Sequence, residues 1–275
     1  MPEPIIVTKQ MIEKVFDDAA TTYNRVGPSI FTQWGTHLIE QMPLAPGQRV
    51  LDVATGTGAV LFPAARRVGA GGHVTGIDLS GVIIKEAERN AHAEGLNNVA
   101  FRKMDAEHLE FPDRTFDVVT CAFALFLFSD IEAALREMYR VCKPGACIGV
   151  TVFDKTPLMF APGLPLLMQQ YMASGMRMIR MPQPMAYAPE EVEALLSQSG
   201  FRSIKTHSET NDIIYASAGD FWAFALTTAA RGMLLSMNEE TRARFKDEYF
   251  AKLRPLFRQD GLHVSVGVVY ALAQR

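Results

Sequence analysis

The chain has 275 residues, 48% hydrophobic and 21% charged, with a formal net charge of -3. This is the composition of an ordinary globular protein, with a core large enough for one big domain or two small ones. With no clustered Lys/Arg excess there is no electrostatic reason to expect a nucleic-acid partner. No apolar run reaches the roughly 20 residues of a membrane span. No basic-then-apolar leader opens the chain, and three cysteines without zinc or disulfide spacing fit reduced, cytoplasmic thiols.

In chain order, residues 16–24 come first, with Phe16, Ala20 and Tyr23 on one helical face. Residues 50–58 then read Val-Leu-Asp-Val-Ala-Thr-Gly-Thr-Gly, a short apolar strand ending at Asp52 and a turn holding Gly56 and Gly58. Glycine belongs where backbone turns sharply or lies against a ligand without a Cβ in the way. Helical spacing follows over residues 59–68. Apolar strands recur at 73–77, 99–102, 116–122 and 146–153, each too apolar for a half-exposed hairpin and each separated by a segment of helical length. Ser80 caps a helix that stops at Gly95, and Ser129 or Asp130 caps another that stops at Pro144-Gly145. This βαβ repetition predicts a mostly parallel sheet with helices on both faces and right-handed crossovers. Ligands of such sheets bind at the carboxyl ends of the strands, where Asp52, Asp78 and Asp105 fall.

Beyond residue 153 the alternation fails. Prolines 157, 162, 165, 182 and 184 interrupt a segment that also holds Met159, Met168, Met172, Met176, Met178, Met181 and Met185. Short helices closing over a pocket would suit it, since methionine fits irregular apolar shapes; plain core packing or a homodimer surface would suit it equally. Pro189-Glu190-Glu191 opens a helix halted by Gly200. Strands are expected at 203–215 and 263–273, with helices near 220–235 and 239–256 between them. The expected layout is one domain: N-terminal cap helices at 1–45, a cofactor-binding core at 46–153, a lid insert at 154–188, and 189–275 completing the sheet around a second helical insert near 217–258.

Five blocks in order carry a family resemblance. They are Leu-Asp-Val-Ala-Thr-Gly-Thr-Gly (51–58), Gly-Ile-Asp-Leu-Ser (76–80), Met-Asp-Ala-Glu-His-Leu-Glu-Phe-Pro (104–112), Phe-Asp-Val-Val-Thr-Cys-Ala-Phe-Ala-Leu (116–125) and Leu-Arg-Glu-Met-Tyr-Arg-Val-Cys-Lys-Pro-Gly-Ala (135–146). From about Phe16 onward the chain resembles class I S-adenosylmethionine-dependent methyltransferases, closest to the ubiquinone/menaquinone-type small-molecule branch. Ala54 and Ala146 stand where many members have glycine. The resemblance implies a Rossmann-like α/β fold: a mostly parallel seven-stranded sheet, helices on both faces, and a helical cap over the carboxyl edge. It implies S-adenosylmethionine as cofactor and a small-molecule substrate. By the same resemblance Asp52 and the backbone of Ala54, Thr55, Gly56 and Gly58 hold the amino-acid tail of the cofactor. Asp78 takes the ribose hydroxyls and Asp105 the adenine amine, with the Ala106 amide offered to the ring and Leu79 and Met104 packed on its faces. Cys121 and Ala122 line the methionine arm. Tyr23, in a Phe-x-x-x-Ala-x-x-Tyr element, contacts cofactor or substrate, unless it only packs.

Methyl transfer from a sulfonium needs alignment and exclusion of water more than it needs a residue that reacts. A base matters only if the acceptor must lose a proton, and the candidates, His37, His207, His263, Tyr171 and Tyr187, fall in no motif. Phe123, Phe126 and Phe128, with the methionine-rich segment and Phe221-Trp222, suit either an apolar acceptor pocket or plain core. Two other readings stand beside this one. A nicotinamide-dependent oxidoreductase shares Gly56-Thr57-Gly58 and an acid about 20 residues on, but Leu61 occupies the third glycine's place. A methyltransferase-like scaffold that binds the cofactor for cyclisation or regulation shares every residue above.

Overall fold

Each long apolar run becomes a strand and each capped stretch a helix in the computed structural model, which describes residues 5–155, 164–173 and 179–275. The N-terminal part holds β1 (Ile5–Ile6), α1 (Lys9–Ala19) and α2 (Ile30–Gln41). The alternating part holds β2 (Arg49–Val53), α3 (Leu61–Val68), β3 (His73–Asp78), α4 (Gly81–Ala93), β4 (Val99–Lys103), β5 (Phe116–Ala122), α5 (Ile131–Val141) and β6 (Cys142–Asp154). Then come α6 (Leu164–Ala173), β7 (Ile179–Arg180), β8 (Ala186–Tyr187), α7 (Pro189–Gln198) and β9 (Arg202–Tyr215). The chain closes with α8 (Ala218–Ala225), α9 (Ala230–Ser236), α10 (Glu239–Leu253), β10 (Phe257–Arg258) and β11 (Gly261–Gln274).

The main sheet runs β10-β11-β6-β5-β2-β3-β4, with β8 added to β6 and β9 to β11. Strands β2 to β6 are parallel; β11 is antiparallel to both β6 and β9. The sheet therefore has nine strands rather than the expected seven. All seven expected strands are present, and the additions are β8 and β10, two residues each and too short to show an apolar period in sequence. A separate small sheet pairs β1 with β7 in parallel, joining the N-terminal segment to the region after α6.

Strand order reverses at β2. Asp52 pairs with Gly76 of β3 on one side and with Thr120 of β5 on the other, so the crevice at this switch point opens above the carboxyl end of β2. One apolar core lies under α2 and α3 and runs on into α8 to α10; the other lies under α5 and α7. Helix starts follow local chemistry. The Ser80 hydroxyl accepts from Ile83 N at 3.0 Å and the Asp130 carboxylate from Ala133 N at 2.8 Å, which settles the cap of α5 on Asp130. The helix expected near 220–235 is two helices. Thr227 and Thr228 turn their hydroxyls back to the carbonyls of Phe224 and Ala225, at 2.8 and 2.9 Å, at the point where α8 ends.

In the proline- and methionine-rich segment, Met168 and Met181 pack against the first core. The expectations placed on Pro157, Met159, Pro162, Met176 and Met178, and on the side chains of Pro165 and Met172, lie outside the described residues. Cys121, Cys142 and Cys147 are free and buried, and burial pushes the Cys142 and Cys147 thiols up to about 12 and about 11. They are packed apolar groups at neutral pH. Among the described residues no helix is long and apolar enough to cross a membrane, and no cluster of ligating side chains could hold a metal ion.

Candidate functional site

Asp52, one residue before the end of β2, has only 1% of its surface exposed, and its two oxygens accept the hydroxyls of Thr55 at 2.6 Å and Thr120 at 2.7 Å. Burial pushes its pKa up to about 6; the two hydroxyls oppose the shift and nearby Asp78 adds to it. The chain then turns through Ala54, Gly56 and Gly58 at φ of 55°, 54° and 99°. Ala54 occupies the left-handed region that glycine enters without strain, at a cost of roughly 1–2 kcal/mol. Gly58 has no such latitude, because a Cβ there would stand 2.4 Å from the ring of Phe62. A Cβ on Gly76 would likewise meet Leu61 at 2.5 Å, so the first turn of α3 rests directly on β3.

Asp78 ends β3 and ties the two loops together. Its Oδ2 accepts from Gly56 N and its Oδ1 from Ser80 N, both at 3.0 Å. Burial pushes this carboxyl up to about 6, opposed by the backbone N–H groups and reinforced by Asp17. A carboxylate has about four acceptor positions, so Asp78 keeps capacity for a pair of ligand hydroxyls.

Asp105, just past β4, accepts from Glu107 N at 3.0 Å through one oxygen and from Lys9 Nζ at 2.6 Å through the other. Lys9 also donates to Glu107 at 2.6 Å, and the second oxygen of Glu107 holds the N–H groups of Ser129 and Asp130. Partial burial works against the Lys9 ammonium, but the two carboxylates outweigh it and its pKa is raised. Lys9, Glu13 and Asp17 recur every four residues and so share one face of α1. Glu13 accepts from Lys103 at 2.5 Å and Asp17 from the Ser80 hydroxyl at 2.5 Å. One face of α1 thus lies along the strand-end rim from the Asp78 loop to the Asp105 loop.

Two adjoining clefts result. The larger, about 760 Å³ with its open mouth, is lined by Asp78, Leu79, Met104, Asp105 and Ala106 and roofed by Lys9, Ile12, Glu13 and Phe16 of α1. The smaller, about 340 Å³, is lined by Asp52, Thr55, Phe31 and Val60 among others. Tyr23, Ala54, Gly56, Ala122 and Phe123 line both. Tyr23 stacks on Phe31 at 5.6 Å and 13° and meets Phe16 edge-on at 5.7 Å. Burial, with Asp78 adding, raises its phenol pKa, so Tyr23 is a donor at neutral pH.

The structure brings eleven of the thirteen sequence-derived cofactor residues to these two clefts. Two are elsewhere. Cys121 is fully buried in the core under α5, because successive side chains of a strand point to opposite faces and Ala122 takes the cleft side. Gly58 lines a neighbouring surface pocket with Phe62 and Asn90. None of the five candidate bases lines either cleft. His37 and His207 both meet Glu209, His263 is held between Asp212 and Asp260 at 2.6 and 2.7 Å, and the Tyr171 hydroxyl sits between Arg244 and Glu248. Tyr187 is buried in the core under α7. Sequence reasoning missed Lys9, Glu107 and Thr120. The four-residue spacing of Lys9, Glu13 and Asp17 was a visible sign of a helix face, but their partners lie more than 60 residues away.

A doubly wound sheet with three acids on its strand ends, glycine-turn backbone between them and a helix across the rim fits the class I S-adenosylmethionine-dependent methyltransferases. The chain matches the ubiE/COQ5 methyltransferase family over residues 5–220 and belongs to it. It is 34% identical over 176 residues to the aklanonic acid methyltransferase DauC of Streptomyces sp. (strain C5), covering 62% of this chain and 80% of that protein. UbiE of Ectopseudomonas mendocina (strain ymp), a ubiquinone/menaquinone biosynthesis C-methyltransferase, is 32% identical over 227 residues, 74% of this chain and 86% of the relative. Nocamycin O-methyltransferase of Saccharothrix syringae is 39% identical over 137 residues, and there the match spans about half of each chain, 50% and 49%. Among solved structures, a SAM-dependent methyltransferase from Aquifex aeolicus has a TM-score of 0.51 at 25% identity, covering 65% of this chain and 83% of that one. The [4+2]-cyclase SpnF shares the fold, with a TM-score of 0.61 at 22% identity over 100% of this chain and 99% of the other.

Proposed function

We propose that the protein moves a methyl group from S-adenosylmethionine to an oxygen or carbon of a small, largely apolar acceptor. The observation that carries this reading is the meeting of Asp52, Asp78 and Asp105 round two joined clefts at the switch point of the sheet. The donor set fits the cofactor. Buried carboxylates suit an ammonium and a pair of cis hydroxyls, and Gly56 leaves open the space a side chain would fill against Tyr23, 3.4 Å away. A dinucleotide would bring a pyrophosphate to the turn above buried Asp52, where like charge opposes it. The named relatives methylate oxygen in one case and carbon in another, which supports both outcomes for this chain.

Bound S-adenosylmethionine would supply a methyl already activated by a sulfonium charge. The chain's own residues then bind, orient and exclude water. Asp78 would hold the ribose; Asp105, fixed by Lys9 and Glu107 N, would hold the adenine amine; Asp52 and the 54–58 backbone would hold the amino-acid tail. Tyr23 and Phe123, which line both clefts, would fix the height of the methyl above β5. Three buried free thiols suit a reducing compartment, and we place the protein in the cytoplasm. Calorimetric titration with S-adenosylmethionine and with NAD tests the assignment. Binding of the first and not the second is expected; the reverse would overturn it.

A further inference from the structure

A third cleft, about 480 Å³ with its mouth, lies among α8, α9 and α10. Five aromatic rings wall it, those of Phe221, Trp222, Phe224, Phe245 and Tyr249, with Met233 and Leu234 between them. Thr228 also lines it, but its hydroxyl is spent on the carbonyl of Ala225. A cleft walled by aromatic and aliphatic side chains is the usual seat of an apolar ligand.

Two further observations say what that ligand is. Every residue lining the cleft lies beyond residue 220, where the match to the methyltransferase family ends, whereas the residues of both cofactor clefts lie within it. The cofactor site thus lies within the segment that the family match spans, and this hollow lies beyond it. A row of rings joins the two. Tyr23 stacks on Phe31, Phe31 stacks on Phe224 at 6.2 Å and 24°, and Phe224 walls the hollow. Phe31 lines the smaller cofactor cleft and Phe224 the apolar one, so this stacked pair links the two linings.

We infer that the cleft of α8, α9 and α10 seats the apolar body of the methyl acceptor, a fused-ring or long alkyl portion, while its reacting end reaches past Phe31 and Phe224 to the cofactor clefts. The inference rests on the methyltransferase reading for the chemistry at that end. It predicts an elongated acceptor, because a compact one could not occupy both places.

The test compares two phenolic probes that differ only in length, methyl and n-octyl 4-hydroxybenzoate. Titration of the full chain, followed by calorimetry, should show the octyl ester binding at least tenfold more tightly. Filling the cleft from either wall, by Ala225→Phe or by Met233→Trp, should cut that preference at least fivefold. S-adenosylmethionine affinity should stay within twofold of the parent in whichever variant retains its melting temperature. Equal binding of the two esters, or an unchanged preference in a folded filled variant, would overturn the inference. Failure of the parent chain to bind S-adenosylmethionine would overturn the methyltransferase reading, and the chain-length preference would still report on the cleft by itself.

Discussion

Replacing Asp78 by alanine separates cofactor binding from folding. The carboxylate holds Gly56 N and Ser80 N at 3.0 Å each and, in the proposed complex, two ribose hydroxyls. A hydrogen bond to a charged group contributes roughly 1.5–3 kcal/mol, so losing the pair at the lower end costs about 3 kcal/mol, or about 100-fold in affinity. Two effects on folding oppose each other. Orphaning buried N–H groups costs roughly 1–3 kcal/mol each, while removing a carboxylate whose pKa is already raised to about 6 by burial relieves an unfavourable charge. Stability should therefore move much less than affinity. Calorimetry at pH 7.5 with a parallel melt measures both. Asp117→Ala is the control: this acid binds Arg49 N and Lys143 at the start of β5, away from the clefts, and should leave affinity unchanged. A folded Asp78→Ala chain that binds S-adenosylmethionine within threefold of the parent would refute the ribose assignment.

Cofactor affinity should rise with pH through about 6 and level off above 7, because Asp52 and Asp78 must give up protons to face a cationic ligand. Both folded pKa values lie above the unfolded one, so their stabilising contribution without ligand is complete below about 4 and is lost as pH rises through about 6. Calorimetry and melts from pH 5 to 8 should show the two trends running in opposite directions; a flat affinity profile would contradict the assignment. Ala54→Gly should raise the denaturant midpoint slightly, since relief of roughly 1–2 kcal/mol of left-handed strain exceeds glycine's entropic cost of roughly 0.5–1 kcal/mol. Gly58→Ala should lower it by several times as much, through its φ of 99° and the Phe62 ring. Lys9→Met should speed cofactor dissociation about fivefold in stopped-flow and weaken the salt dependence of that rate, because it unpins α1 from Asp105 and Glu107. An unchanged off-rate would show that α1 does not restrain the ligand.

The parallel half of the fold was legible because its signals are local. Five short strands stand out by their apolar or β-branched residues, helices begin at Ser80 and Asp130, and glycine at 56 and 58 announces a turn, all within windows of a dozen residues. The acids' convergence was legible for the same reason, since parallel strands bring equivalent ends to one edge. What was not legible depends on long-range pairing or on side-chain direction. Strands of two residues, β8 and β10, carry no period. Lys9 acquires a role only from Asp105 and Glu107, about a hundred positions away. Cys121 and Ala122 are adjacent in a motif and point to opposite faces, which a block of conserved-looking letters cannot express. The break between α8 and α9 follows from two threonine hydroxyls that a helical pattern averages over.

Phe123 sets a geometric demand on the proposed site. It sits at φ 52°, a conformation costly for a bulky residue, directly after β5 where both cofactor clefts meet. Its N–H is fixed on Thr151 O at 2.8 Å, and its ring packs on Phe153 at 4.8 Å, Trp34 at 5.1 Å and Phe31 at 5.5 Å. Strain of that kind persists only where surrounding contacts over-determine it, and here they come from two separate elements, β6 and α2. An in-line displacement is sensitive to displacements of about 1 Å, and a ring locked by both is a more rigid floor than a relaxed loop. The same ring reaches Phe31, the first side chain of the partition before the apolar cleft of α8 to α10. On the proposed reading, rigidity at the methyl and selectivity for its destination would be coupled through one residue whose backbone conformation no pattern of apolar letters would have suggested.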